Sequence, residues 1–316
     1  MNNTFRTELK VPGAEIEISY QDQILMVGSC FAENIANYLQ KGRFQVEVNP
    51  FGILYNPVSI SDSIELLWKG EEFPEEHLVQ QGELWHSFLH HGKFAQMERK
   101  KLLENIEIEL KRGRTFVQQC SRLIITLGSA TVYTYKASGK IVANCHKIPH
   151  SAFLKKRLGV DQCVETLSSI FKTIKQANPS IEIILTVSPV RHLRDGFTEN
   201  QLSKATLLLS CAALQQVFPF VHYFPSYELI IDDLRDYRFF NTDMVHPNDI
   251  AIEYVWEHFN KTYFSENSMK IFAEVIALQS LKEHRPLFPD SGEYSRLKEM
   301  IAEKENLLLT KYPFLR

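Results

Sequence analysis

The stretch Gln23-Ile24-Leu25-Met26-Val27-Gly28-Ser29-Cys30-Phe31-Ala32-Glu33-Asn34 constrains the fold more than any other part of the chain. An apolar run ends at Gly28-Ser29 and a helical pattern starts at once. The pattern predicts a buried strand over 23–30 and a helix over 31–42, with Ile35, Ala36 and Leu39 at helical spacing. Ser29 then stands at the C-terminal end of a strand and the N-terminus of a helix. Open α/β sheets build ligand sites at such strand ends. Helix starts favour negative charge, including that of a developing oxyanion. Ser29 is therefore a candidate nucleophile, with helix capping as the alternative role for its hydroxyl.

The rest of the chain keeps the same rhythm. Strands are predicted over 44–48, 121–128, 181–187 and 221–224, and helices over 58–68, 99–119, 162–177, 199–217 and 248–262. Residues 132–135 and 141–144 read as a hairpin around Ser138-Gly139-Lys140. Strands alternating with helices imply a largely parallel sheet covered on both faces. Residues 69–98 break the rhythm, being acidic and then rich in aromatics and histidine. The expected organisation is an α/β domain over 1–262 with an insertion at about 69–120, and a helical C-terminal extension over 263–316 packed on the same domain.

Composition narrows the function classes. The formal net charge of -3 argues against nucleic acid as a partner. The five cysteines (Cys30, Cys120, Cys145, Cys163 and Cys211) are odd in number and form no CxxC pair, which argues against a disulfide framework and a zinc site. No apolar run approaches the roughly 18 residues that span a bilayer, and the first residues hold no apolar leader core. The sequence reads as that of a cytoplasmic protein with no membrane partner, no metal and no cofactor.

A second segment carries chemistry. Asp243-Met244-Val245-His246 places a carboxylate and an imidazole three residues apart before a helix. Serine hydrolysis needs a general base for the hydroxyl proton and a carboxylate to orient that base. Ser29, Asp243 and His246 supply these parts. The bland roles, an Asx turn for Asp243 and a helix cap for His246, are compatible with catalysis.

Gly28-Ser29 after the first strand and Asp243-x-x-His246 near the end resemble the first and last blocks of the SGNH (GDSL-like) hydrolases. The string Gly28-Ser29-Cys30-Phe31-Ala32 resembles the GSCFA family, which is named for it. The resemblance extends through Asn49-Pro50-Phe51-Gly52-x-x-Tyr55-Asn56-Pro57, Asn144-Cys145-His146, Val187–His192 and Arg235–Phe239, or roughly residues 20–262. It implies a flavodoxin-like three-layer α/β/α sandwich and a triad of Ser29, His246 and Asp243. The oxyanion would be held by the Ser29 amide and by a glycine amide, for which Gly52 is the candidate. The Asn that SGNH enzymes carry after the third strand falls at Ala130 here. Asn144 is the candidate replacement, with Asn56 and Ser129 behind it. A lost oxyanion donor costs about 3–4 kcal/mol of transition-state stabilisation.

Other residues were weighed against bland roles. Cys30 is expected to be buried, since adjacent side chains at a helix start diverge by about 100°. Asn144 and His146 are read on a strand, facing one way with Cys145 facing the other. His90 and His91 are expected at the pocket mouth, and His146 beside the site. Arg191 and His192 either bind substrate or pair with Asp195 or Glu199. Arg235, Asp236 and Arg238 read as an ion-pair network. The function that follows is a serine esterase or acylhydrolase acting on a small-molecule or acylated carbohydrate ester. The alternatives are an O-acyltransferase using the same triad and a non-catalytic binding module on a hydrolase scaffold.

Overall fold

Gln23–Gly28 forms the first strand, β1, and Cys30–Lys41 the first helix, α1. The computed structural model describes residues 6–284, 287–288 and 291–315. After α1 come β2 (Gln45–Val48), α2 (Pro57–Lys69) and a hairpin of β3 (Leu78–Gln81) and β4 (Leu84–Ser87). Next are α3 (Arg99–Gln119), β5 (Arg122–Leu127), β6 (Thr131–Tyr135), β7 (Lys140–Val142), β8 (Phe153–Arg157) and α4 (Val160–Ala177). Then follow β9 (Glu182–Val187), α5 (Phe197–Val217), β10 (Val221–Tyr223) and a short α6 (Ser226–Glu228) that continues as a π-helix over Leu229–Leu234. The chain ends with α7 (Asp249–Tyr263), α8 (Glu266–Glu283) and α9 (Gly292–Lys311).

Five strands form one sheet in the order β10-β9-β5-β1-β2, parallel throughout. Their side chains obey the period of two. Leu25 and Val27, Leu123 and Ile125, and Ile183 and Leu185 enter one apolar cluster; Ile24 and Met26, Ile124, and Ile184 enter the other. The first cluster lies under α2, α3, α4 and α5, and the second under α1, α7 and α8. The molecule is thus the expected α/β sandwich of three layers. Each fully buried aliphatic side chain contributes about 1.5–3 kcal/mol.

The structure redraws two parts of the sequence reading. Helix α3, read as part of the insertion, belongs to a layer. Its one apolar stripe (Leu102, Ile106, Leu110, Gly113, Val117) is buried in the first cluster. A Cβ at Gly113 would lie 2.8 Å from Leu67 Cδ2, so the glycine permits close packing of α3 on α2. The hairpin after β5 gains a third strand, with order β7-β6-β8. At the other end, Ile271, Val275 and Leu278 of α8 join the second cluster, and Ser268 Oγ donates to the Ile18 carbonyl at 3.2 Å. Among the described residues no helix is long and apolar enough to cross a membrane. Because the central strands are parallel, the turns after β1, β5 and β9 emerge at one sheet edge.

Candidate active site

Three consecutive residues at the end of β1 have three different environments. Gly28 has φ +142°, and a Cβ there would lie 2.2 Å from the Thr126 carbonyl oxygen. Only glycine lets β1 stay paired with β5 to this point. Its N–H donates to Asn49 Oδ1 at 2.8 Å, and Asn49 Nδ2 donates to Glu33 Oε1 at 3.3 Å. Asn49 is buried with φ 47°, a left-handed position that asparagine tolerates. Ser29 is 0% exposed. Its N–H donates to the Thr126 carbonyl at 3.0 Å, and its Oγ caps α1 by accepting from Phe31 N–H at 3.3 Å. Cys30, expected to be buried, is instead partly exposed. Its N–H has no acceptor among the described residues. Burial chiefly, and then Glu33, raise the thiol pKa; the N–H groups of Cys30 and Phe31 and the Lys204 ammonium oppose them.

The loop before α7 is built around a carboxylate. Asp243 Oδ1 accepts from the N–H groups of Val245 at 2.9 Å and His246 at 3.0 Å, while Oδ2 lies 2.6 Å from His246 Nδ1. The amides of His246 and Val245, then the His246 ring, hold the Asp243 pKa down to about 2. An ionised carboxylate only accepts, so Nδ1 carries a proton, and the neutral ring then has its lone pair on Nε2. Backbone bonds frame the loop: Asn241 N–H donates to the His246 carbonyl at 2.7 Å and Asn248 N–H to the Phe239 carbonyl at 3.0 Å. About half of each side chain is exposed. No hydrogen bond joins His246 to Ser29.

Two rings and a buried lysine are neighbours of these parts. Tyr55 meets His192 edge to face, with centroids 5.0 Å apart. Burial, then the charges of Cys30 and Glu33, raise the Tyr55 pKa. Burial lowers the His192 pKa to about 4, with Lys204 and His246 adding to the effect. Cys30 is thus an electrostatic neighbour of Tyr55, and His246 of His192. Lys204 is 1% exposed, and its Nζ donates to the carbonyls of Gly128 and Ser188, each at 2.6 Å. Burial pushes its pKa down to about 7, and Cys30 acts in the opposite sense.

The GSCFA family model matches residues 23–259, well over half of the chain. The chain belongs to the GSCFA family. No curated protein matched it. A solved structure of a provisionally assigned platelet activating factor from Streptococcus pneumonia is 11% identical, with a TM-score of 0.37. That match covers 78% of this chain and 85% of the other.

In this GSCFA chain the oxyanion candidates have other partners, Asn144 through its Oδ1 alone. The Ser29 amide extends the sheet ladder. Gly52 N–H donates to the Asn49 carbonyl at 2.7 Å, and its φ of +73° serves the turn; a Cβ there would meet His91 Cβ at 2.4 Å. Asn56 caps α2, with Oδ1 accepting from Ser59 N–H at 2.8 Å and Nδ2 donating to Ser59 Oγ at 3.0 Å. Ser129 Oγ accepts from Thr131 N–H at 3.0 Å and shares a bond of 3.2 Å with Ser203 Oγ. Asn144 Oδ1 accepts from His146 N–H at 2.9 Å.

The histidines separate into two groups. His90, expected at the mouth, is 0% exposed, stacked on Phe51 at 4.6 Å and bonded through Nδ1 to Ser87 Oγ at 2.8 Å. Burial takes its pKa to about 3. The strand read through His146 stops at Val142, and the backbone turns at His146 (φ 48°) and Lys147 (φ 61°). His146 is buried with Nε2 donating to the Ser87 carbonyl at 2.7 Å, and burial takes its pKa to about 4. Both rings are packed inside the protein, where burial disfavours their charged form. His91 stays partly exposed, beside Gly52 and within reach of the Glu33 charge. Asp195 and Glu199 pair with Lys155 at 2.5 Å and Arg157 at 2.9 Å, so Arg191 has no ion pair among the described residues. The expected Arg235–Asp236–Arg238 network reduces to an Asp236–Arg238 pair at 3.1 Å and an Arg235 bond to the Asp232 carbonyl at 3.1 Å. Among the described residues no three His, Cys, Asp or Glu side chains group closely enough to hold a metal ion.

Three residues to which the sequence assigned no role now matter: Asn49 and Tyr55, named only as part of a motif, and Lys204. Lys204 did leave a signal. It occupies an inward position of α5, in line with Leu207, Cys211 and Leu214. A lysine on an apolar stripe is the kind of buried charge that marks a site.

Proposed function

We propose that this GSCFA protein is a hydrolase of SGNH type that cleaves an ester through a covalent acyl-enzyme. The Asp243–His246 pair carries this reading. A carboxylate held ionised by two amides fixes the imidazole tautomer, and Nε2 then acts as general base and general acid. The attacking atom comes from the Gly28-Ser29-Cys30 junction at the same sheet edge. The ester carbonyl sits between that junction and His246, along the Tyr55–His192 wall. Arg191, without a carboxylate partner among the described residues, offers a contact for a polar or anionic portion of an acylated carbohydrate or similar small molecule.

The test is hydrolysis of p-nitrophenyl acetate by the full chain and by His246→Ala. The expected result is measurable turnover by the wild type and a drop in kcat/KM of about 100-fold or more in the variant, the range typical of a lost general base. Equal turnover by the two proteins, or none by the wild type, overturns the reading.

A further inference from the structure

We propose that the nucleophile of this site is the Sγ of Cys30 and that Ser29 is a structural cap. The inference rests on the esterase reading above. Four observations support it. Ser29 is 0% exposed, its N–H is spent on Thr126 and its Oγ on Phe31 N–H. Cys30 is the partly exposed neighbour, and it begins α1 with an N–H that has no acceptor among the described residues. The buried Lys204, when protonated, favours a negative charge on Cys30. Tyr55 and His192, whose rings touch, are electrostatic neighbours of Cys30 and His246 respectively, so the thiol and the base flank one wall.

The charged or titratable groups that act on Cys30 are Glu33 on its own helix, Lys204 from α5 and Tyr55 from the segment after β2. Their balance with burial leaves the thiol protonated at rest, so attack requires a base. His246 Nε2 takes the S–H proton as sulfur bonds to the ester carbonyl carbon, and the carbonyl π pair moves to oxygen. The Cys30 N–H is positioned to donate to that oxyanion. Collapse breaks the carbon–oxygen ester bond, and the alcohol leaves with the proton from His246. Water then attacks the thioester, gives a proton to His246, and the acid leaves as the proton returns to sulfur. Ester and water become acid and alcohol, with no other reactant.

The experiment is an acid quench of the full chain during turnover of p-nitrophenyl acetate. Peptide fragmentation between Ser29 and Cys30 locates the acetyl group, and neutral hydroxylamine tests its lability. Turnover by Ser29→Ala and Cys30→Ala is measured alongside. The expected adduct lies on Cys30 and is removed by hydroxylamine. Ser29→Ala keeps turnover within about threefold, and Cys30→Ala loses at least about 100-fold. The wild-type adduct needs no variant to fold, so a destabilised Ser29→Ala does not blur the result. A hydroxylamine-stable adduct on Ser29 overturns the assignment and leaves the esterase reading standing. Absence of both adduct and turnover in the wild type overturns both.

Discussion

Lys204 is the residue whose chemistry departs furthest from its ordinary behaviour. Its ammonium is enclosed and bonded to the Gly128 and Ser188 carbonyls, and burial brings its pKa from 10.5 to about 7. Between those values the unfolded chain holds the proton and the folded chain has released it. Stability therefore rises with pH across that window, by up to about 1.4 kcal/mol per pH unit from this one group. Below about pH 7 both states are protonated and the cost of burying the charge is present in full. Buried thiols such as Cys120 and Cys163, whose pKa values burial raises from 9.0, contribute the opposite slope at high pH. That contribution is common to the wild type and a Lys204 variant, so their difference isolates the lysine. In urea unfolding from pH 6 to 10, Lys204→Met is expected to lose ground against the wild type as pH rises above 7. Parallel curves would show that Lys204 keeps its charge in the folded protein.

At the scale of elements, the segment Phe239–Asn248 decides whether the site can act as a base. Its shape comes from backbone bonds and from Asp243, whose two oxygens divide their work: one holds the loop, the other holds the ring. Asp243→Asn separates the two tasks. The asparagine Oδ1 can still accept from Val245 and His246, but its Nδ2 now faces His246 Nδ1. The ring must turn Nδ1 into an acceptor, which moves the proton to Nε2 and removes the base. Turnover is expected to fall by about 10³–10⁴-fold, as in other hydrolases with this change, while the melting temperature shifts little. A variant that retained more than a tenth of the activity would remove Asp243 from the mechanism. With a carboxyl pKa near 2, Asp243 stays ionised across the working pH range, so an acid limb in the rate profile belongs to other groups. Much of this element was legible in sequence, because Asp-x-x-His before a helix is a local pattern. The junction at Ser29 was legible as a place, but not which of its side chains faces outward: Ser29 is buried and Cys30 partly exposed. Which of two adjacent side chains faces outward depends on where β1 hands over to α1, and a one-residue shift exchanges cap and first helical residue. The burial of the histidine-rich segment was not legible for another reason. His90 and His146 lie in an aromatic cluster made by chain segments distant in sequence, and no local period reports such packing.

Over the whole molecule, the alternation of strands and helices was readable because parallel strands buried on both faces are continuous apolar runs. A parallel sheet covered on both faces followed from that, and the family resemblance implied its three-layer, flavodoxin-like form. What the pattern did not display was how firmly the C-terminal helices join the sheet domain, since charged residues interrupt their apolar positions along the whole length. The structure separates them. Ile271, Val275 and Leu278 of α8 enter the same cluster as Ile24 and Met26 of β1, and Ser268 bonds to the segment before β1. Helix α9 fully buries Leu308 alone, rests Ile301 and Leu309 partly buried on the second cluster, and is otherwise held by ion pairs, Glu305 with Arg43 and Lys282 and Lys311 with Glu274. Exposed pairs contribute about 0–1 kcal/mol each and weaken with salt. Helix α8 should therefore open with the sheet, whereas α9 should open alone at a lower free energy. In native-state hydrogen exchange, amides of α8 are expected to share the protection of β1 within about tenfold. Those of α9 are expected to exchange at least about 100-fold faster, a gap of about 3 kcal/mol that widens in 0.5 M salt. If α9 proved as protected as β1 at both salt concentrations, its surface pairs would be holding it as firmly as a core does, and the division drawn here between α8 and α9 would be wrong.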